Sequence, residues 1–274
     1  MKATVTQSHR KFKVAYRGEL NMNEAEPIED SQDVGQRYRF EHLALRIVLK
    51  DLYFSKDAPG PGDQVPDFDL PTLGGGHFRS TDLSETGPAL LIFGSYTCNV
   101  TDRAAPGLRE LHARFGDRIR FVLVNVREAH PGKSTPQPKT IDEKMKHAEQ
   151  MRDFHRFKFD VAVDDIDGSF HRAMSPKVNS AYVLGKDGVI LFRAHWANDT
   201  KGLTAALDSI AAGQSPSPSK IGGVVLALLR TWRHIGPSLD KGGDGAWADF
   251  WRIAPPITGM DFALKFLGVG PPKD

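Results

Sequence analysis

The 274-residue chain contains a single cysteine, Cys98. One cysteine cannot close a disulfide within the chain, and it cannot supply a zinc site built from several thiolates. A reductase with a Cys-x-x-Cys pair is also excluded, because Ser95 and Thr101 stand where a partner cysteine would be. If Cys98 is oxidised during a reaction, a second molecule must reduce it.

Long apolar runs and a dominant charge are absent as well. The longest apolar run, residues 224–229, is far shorter than the roughly 20 residues that cross a bilayer. The first ten residues lack the apolar core of a secretory signal. The formal net charge is +2 and the basic residues are scattered, which argues against nucleic-acid binding. We therefore predict a cytoplasmic protein with no transmembrane segment and no nucleic-acid partner.

Two linkers divide the chain into three regions. Residues 1–60 form an N-terminal extension, with an edge strand at 11–16 and an amphipathic helix at 38–53. The central region is 61–213, and the helical tail is 214–274. Three of the four tryptophans lie in this tail, at Trp232, Trp247 and Trp251. The apolar faces of the tail either pack on the central region or form a dimer or membrane-surface contact.

The central region alternates strand and helix patterns. Strands are predicted at 67–70, 89–93, 120–126, 160–163, 180–184 and 189–193, and helices at 101–115, 141–157, 169–174 and 201–211. This alternation is typical of an α/β fold with a central, mainly parallel sheet and helices on both faces. A Gly-Lys-Asp-Gly turn at 185–188 predicts a hairpin that adds an antiparallel edge.

Cys98 lies where a buried strand leads into a helix. The dipole and free amides of a helix N-terminus favour a thiolate, so we expect a lowered pKa and a nucleophilic thiol. The hydroxyls of Ser95 and Thr97 flank it, and Arg103 follows one turn later. We predict that these three residues and Tyr96 bind substrate. The alternative is a buried, unreactive cysteine.

A carboxylate and an imidazole follow the next buried strand. Glu128 and His130 come directly after the strand at 120–126. Functional groups in an open parallel sheet gather at the carboxyl ends of its strands. We therefore expect both residues beside Cys98, where they can move protons during catalysis.

These two segments resemble the iodothyronine deiodinase family. Phe-Gly-Ser-Tyr-Thr-Cys at 93–98 is similar to the family's Phe-Gly-Ser-x-Thr-Sec, with Cys98 at the selenocysteine position, and Glu128-Ala-His130 matches its Glu-Ala-His segment. The resemblance implies a thioredoxin-like fold. It also implies that Cys98 attacks the iodine of an iodinated phenol and that Glu128 and His130 supply protons at the ring.

The chain departs from the deiodinase pattern near both segments. Asn99 and Val100 stand where deiodinases usually have prolines. The family's insertion carries a further histidine after a Pro-Gln pair, and Pro138 occupies that place here. His147 or His155 replaces the missing imidazole only if the fold brings one of them close.

Three functions agree with these features. The first is a deiodinase-like oxidoreductase with Cys98 as its nucleophile, no metal, no cofactor and an external thiol reductant. The second is a one-cysteine, peroxiredoxin-like peroxidase, although Ser95 and Leu91 replace the threonine and proline that peroxiredoxins typically carry before the cysteine. The third is a non-catalytic binding module with a buried thiol. A homodimer is compatible with each of them.

Overall fold

A computed structural model describes residues 38–218 and 231–267. The predicted strand at 11–16 lies outside the described residues, as does the apolar run at 224–229. The side chain of Trp232 is also outside the description.

Seven strands and nine helices occupy the described residues. The strands are β1 (Asp69–Pro71), β2 (His77–Arg79), β3 (Ala89–Gly94), β4 (Arg120–Asn125), β5 (Asp160–Val163), β6 (Ala181–Leu184) and β7 (Ile190–Ala194). The helices are α1 (Leu45–Asp51), α2 (Leu83–Thr86), α3 (Asn99–Phe115), α4 (Ile141–His155), α5 (Ser169–Met174), α6 (Thr200–Ala211), α7 (Ile235–Gly242), α8 (Asp244–Ile253) and α9 (Pro255–Phe266).

The central sheet has the strand order β5-β4-β3-β6-β7. β3 and β5 pair with β4 in parallel, whereas β6 pairs with both β3 and β7 in antiparallel. The predicted α/β architecture and the predicted hairpin are confirmed, but the sheet is mixed rather than mainly parallel. The difference arises because β6 enters the sheet beside β3 in the reverse direction after the short helix α5.

Alternating side chains of the strands supply two separate cores. On β3, Leu90 and Ile92 pack with α3, α4 and α6, while Leu91 and Phe93 pack with β1, β2 and α5 on the other face. This alternation follows from the two-residue repeat of a strand. Because both faces are covered, all six residues of β3 are buried, and a three-residue turn then leads from this strand to Cys98.

The predicted N-terminal helix is shorter than its apolar pattern suggested. Only α1 is helical within 39–53, and the preceding residues are irregular or extended. Asp249 of α8 accepts a hydrogen bond from the amide of Leu43 at 2.8 Å. This hydrogen bond engages the Leu43 amide, which a longer helix would bond to its own backbone. Leu45 and Leu49 are about half exposed, whereas Ile47 and Val48, which belong to the predicted apolar face, are half-buried.

The C-terminal helices pack on the central fold. Ser238 and Lys241 of α7 bond the carboxylate of Asp102 on α3, each at 2.5 Å, and the hydroxyl of Thr135 donates to the carbonyl of Lys241 at 2.7 Å. These contacts agree with the interpretation that the C-terminal tail packs on the central region. Trp251 nevertheless remains 44% exposed. No helix within the described ranges is long and apolar enough to cross a membrane.

Candidate active site

Cys98 is the N-cap residue of α3, with an extended backbone. No side-chain hydrogen bond caps the helix at Cys98, but the amides of Thr101 and Val100 and the hydroxyl of Thr101 lie close enough to favour the thiolate and, by themselves, lower the pKa of Cys98. The side-chain amide of Asn179 donates to the Thr101 hydroxyl at 3.0 Å and so orients it. The first turn of the helix therefore presents donors to the sulfur, as the sequence predicts.

The expected fall in the pKa of Cys98 does not occur in this closed structure. The residue is only 2% exposed. Burial raises the pKa of the thiol, and the hydrogen bonds from Thr101 and Val100 offset only part of this rise. Desolvation penalises the charged form of a group, so the thiol is the resting form unless a further positive charge stabilises the thiolate.

A small, mainly apolar cavity of about 90 Å³ lies beside the thiol. Its walls come from α1 and the residues before it, the start of α3, the Ala129–His130 segment and the residues around β6 and β7. They are Leu43, Val48, Asp51, Leu52, Cys98, Asn99, Val100, Ala129, His130, Val178 and Trp196. Apolar walls with a few polar groups are the usual composition of a small-ligand site.

The hydroxyls that flank Cys98 are engaged with the neighbouring strand end. Ser95 Oγ accepts a hydrogen bond from the amide of Ala129 at 3.2 Å. Thr97 Oγ1 donates to Glu128 Oε2 at 2.7 Å and accepts from the amide of His130 at 3.1 Å. These contacts tie the Cys98 turn to the end of β4, and they use the hydroxyls that we expected beside the thiolate.

The two remaining residues predicted to bind substrate lie away from the cavity. The ring of Tyr96 packs edge-on against Phe154. Lys241 Nζ lies 4.9 Å from the centroid of the Tyr96 ring. Arg103 is exposed on α3. Neither residue lines the thiol cavity, so their roles stay predictions.

Glu128 is fully buried, and polar contacts hold its carboxylate. Oε2 accepts from both the amide and the hydroxyl of Thr97, and Oε1 lies 3.1 Å from His147 Nδ1. The side chain of Gln137 bonds the main chain of Glu128 twice. Burial alone would raise the pKa of Glu128, but the bonds from His147 and Thr97 outweigh it and the pKa is lowered. Glu128 is therefore a carboxylate at neutral pH.

His130 lies at the junction of this network and the thiol cavity. Its Nε2 is 3.3 Å from Asn99 Oδ1, and Asn99 Nδ2 donates to Thr231 Oγ1 at 2.9 Å. Its buried Nδ1 has no hydrogen-bond partner among the described residues. Burial lowers the pKa of His130 to about 4, so the ring is neutral near pH 7 and Nδ1 can accept a hydrogen bond.

The fold places the two later histidines in different networks. His147 on α4 pairs with Glu128, so an imidazole from a different part of the sequence stands beside this carboxylate. His155, at the end of the same helix, pairs instead with Asp102, with Nε2 and Oδ1 3.1 Å apart. The sequence did not decide whether His147 or His155 stands beside Glu128. The structure places the ring of His147 there.

Two buried residues near the cavity were missed by sequence reasoning. The Nζ atom of Lys177 lies 3.1 Å from the ring centroid of Trp196, and Trp196 shares a buried cluster with Cys98. The Val178–Ser180 segment leads into β6 beside β3, so only the strand order brings Lys177 to this site. Its sequence context, Ser-Pro-Lys-Val-Asn, resembles an ordinary surface loop.

A second, larger groove lies along the segment that begins at Pro131. Its volume is about 920 Å³, and Arg39, His42, Pro131 and Gln137 are among its walls. Because Gln137 bonds Glu128, this groove borders the carboxylate network rather than the thiol. Within the part of the chain that the structure describes, no three His, Cys, Asp or Glu side chains are grouped to hold a metal.

Comparison with known proteins supports this interpretation of the fold. Residues 61–193, just under half of the chain, match the model of the AhpC/TSA family. The match covers the central sheet and Cys98, and the fold is a thioredoxin-like α/β fold with additional C-terminal helices. No curated protein matches the chain.

Several solved structures are similar at low identity. An uncharacterized conserved protein from Geobacillus kaustophilus is 17% identical, with a TM-score of 0.49, over 60% of this chain and 88% of that one. Peroxidoxin BcpB from Mycobacterium tuberculosis is 20% identical, with a TM-score of 0.41, over 57% and 99%. A yeast mitochondrial 1-Cys peroxiredoxin is 13% identical, with a TM-score of 0.40, over 56% and 76%. No functional conclusion follows from likenesses at this level.

Proposed function

We propose that this protein is a thiol-dependent oxidoreductase that reduces a small hydroperoxide with Cys98. The AhpC/TSA match of residues 61–193 supports thiol chemistry in this region. The observation that carries the proposal is the position of Cys98 at the start of α3, facing a cavity of about 90 Å³. A water molecule occupies about 30 Å³ in the liquid, so the cavity suits hydrogen peroxide or a short alkyl hydroperoxide.

The reaction needs one thiolate and an external thiol. The thiolate attacks the terminal peroxide oxygen, the O–O bond breaks, and the departing alkoxide takes a proton and leaves as an alcohol or water. Cys98 becomes a sulfenic acid. One molecule of external thiol then releases water and forms a mixed disulfide, and a second regenerates Cys98 and leaves as a disulfide.

Three neighbours have roles in this step. The donors from Thr101 and Val100 stabilise the thiolate. His130 Nδ1, which has no partner in the described part of the chain, accepts a hydrogen bond from the peroxide O–H and positions it. Glu128 does not face the thiol cavity; through Thr97 it holds the turn that carries Cys98.

Peroxide consumption with dithiothreitol as the reductant tests this proposal. We expect turnover in the wild type and none above background in Cys98→Ser, with circular dichroism to confirm that the variant is folded. His130→Gln should raise the KM for peroxide more than it lowers kcat, because it removes a positioning contact. A folded wild type that consumes no peroxide would exclude the peroxidase.

Reductive deiodination is the second candidate, and the Glu128 network favours it. The carboxylate bonds Thr97 and His147, which are the kinds of group that the resemblance to deiodinases implies for proton transfer. An iodinated ring is too large for the thiol cavity, so this candidate requires the cavity to widen before the iodine can meet Cys98. Iodide release from an iodinated phenol with dithiothreitol, slowed in Glu128→Gln, would support this candidate. The absence of iodide release would remove it.

A further inference from the structure

Lys177 is a buried amine without an acidic side chain as its partner. It is only 1% exposed, and its Nζ donates to the main-chain oxygen of Asp51 at 3.4 Å. The Asp51 carboxylate is engaged elsewhere, since both of its oxygens lie 2.8 Å from Arg127 Nη2. Burying an ammonium without a counter-charge is costly. The position of this lysine therefore calls for an explanation beyond packing.

The surroundings of the amine lead to the thiol. Its Nζ lies over the ring of Trp196, an arrangement that stabilises a cation. Trp196, Asp51 and Val178 all line the cavity that contains Cys98. The ring of Trp196 and the carbonyl oxygen of Asp51 contact the Lys177 ammonium. Val178 is the next residue in the chain. Lys177 thus lies directly behind the cavity wall that faces Cys98.

We propose that Lys177 supplies the counter-charge of the Cys98 thiolate. The S–H bond of Cys98 breaks and its proton passes to water, which leaves the thiolate near the Lys177 ammonium. No oxidant or reductant takes part in this step. The inference deepens the proposed function, because it supplies the thiolate that the reaction needs.

The electrostatics of the site agree with this pairing. Burial lowers the pKa of Lys177 to about 7, while Asp51 and Cys98 oppose the fall, so a substantial fraction of Lys177 is an ammonium at neutral pH and can act as a counter-charge. Few other charged or titratable groups lie around Lys177 and Cys98. They are Arg127 behind Asp51, His195 beside Lys177, and Asp102 and His130 beside Cys98.

Titration of Cys98 tests the pairing without any peroxide. The chain has one cysteine, so thiolate absorbance near 240 nm and the rate of alkylation by iodoacetamide both report on this residue. In Lys177→Met the thiol pKa should rise by at least one unit, which lowers the alkylation rate at pH 7 about tenfold. Lys177→Arg should restore most of the thiolate. Lys144→Met is the matched control, because Lys144 is equally buried but bonds the carbonyl of Asp165, and it should leave the Cys98 titration unchanged.

A reciprocal measurement covers the case in which Lys177→Met does not fold. With lysine labelled by ¹³C at the ε carbon, NMR titration should show that the pKa of Lys177 falls in Cys98→Ser, because the thiolate is lost. An unchanged Cys98 titration in folded Lys177→Met, or an unchanged Lys177 titration in Cys98→Ser, would overturn the inference. Because neither readout needs turnover, failure of the pairing is distinguishable from failure of the peroxidase activity.

Discussion

The thiol cavity and the Glu128 network are adjacent, but they are built in opposite ways. The cavity walls are mainly apolar and enclose unfilled space, and they include His130, whose buried Nδ1 has no partner in the described residues. Glu128, in contrast, is fully buried with hydrogen bonds to Thr97 and His147. Unfilled space next to an unpartnered acceptor suits a ligand, whereas a filled polar network suits a rigid support. The comparison separates the residues that meet substrate from those that hold them in place.

Removing the carboxylate of Glu128 should have the largest effect on stability. In Glu128→Ala the Thr97 donors and His147 lose their buried acceptor, and breaking a buried pair in this way costs about 3–5 kcal/mol. Urea unfolding measures this loss. Glu128→Gln keeps an acceptor for Thr97 and should lose much less, about 1–2 kcal/mol. Equal, small losses in both variants would show that the network does not support the site.

The neutral His130 should make stability depend on pH. Its folded pKa of about 4 lies below the ordinary value of 6.5, so the unfolded chain binds more protons between these values. The stabilisation is complete above about pH 6.5 and decreases as the pH falls towards 4, by about 3 kcal/mol in all.

The variant His130→Gln isolates this contribution. Other buried groups also titrate in this range, and burial lowers the pKa of His171 to about 3. The difference between wild type and His130→Gln cancels those shared terms. We expect the wild type to lose more stability on acidification than the variant does. Parallel pH profiles would mean that His130 is accessible to water and protonates freely.

Contacts from the C-terminal tail should control access to the Cys98 thiol. Their effect on the free energy of unfolding should be smaller than that of Glu128→Ala. Lys241 holds Asp102 through a buried ion pair, and Lys241→Met removes it while the Ser238 hydroxyl remains hydrogen-bonded to Asp102. We expect a loss of about 1–3 kcal/mol and faster reaction of Cys98 with Ellman's reagent.

Lys133→Met is the matched control for this variant. Lys133 pairs with Asp244, but both side chains are largely exposed, and such pairs contribute roughly 0–1 kcal/mol. Cys98 should react at the wild-type rate in this variant. The same acceleration in both variants would show that the tail does not limit access through the Asp102 contact.

The sequence was informative wherever a pattern lies within one element. The apolar run of β3 and the turn after it located Cys98 at the start of a helix, and Glu128 and His130 followed from the end of β4. The strand boundaries of β5 and the helix α5 were also predicted correctly. These features depend on local periodicity and on the general rule for strand ends.

The remaining features depend on which elements become neighbours. Lys177 lies near the thiol cavity only because β6 inserts antiparallel beside β3, and nothing in its local sequence indicates burial. The raised pKa of Cys98 has the same origin, because the desolvation comes from residues such as Leu52 and Trp196 that are distant in the chain. Local reasoning located Cys98 at a helix start, but the hydroxyls of Ser95 and Thr97 that it expected beside the thiolate bond the end of β4 instead, and it could not weigh the helix amides against burial.

Trapping of oxidised Cys98 is the most direct test of the account. Native protein would be treated with one equivalent of hydrogen peroxide in the presence of dimedone and analysed by intact mass and peptide mass spectrometry. The account predicts a single dimedone adduct, on Cys98, which prior alkylation abolishes and which added thiol prevents by competing for the sulfenic acid. A native protein that stays unmodified, and forms the adduct only after unfolding, would contradict the role of Cys98 as a redox nucleophile.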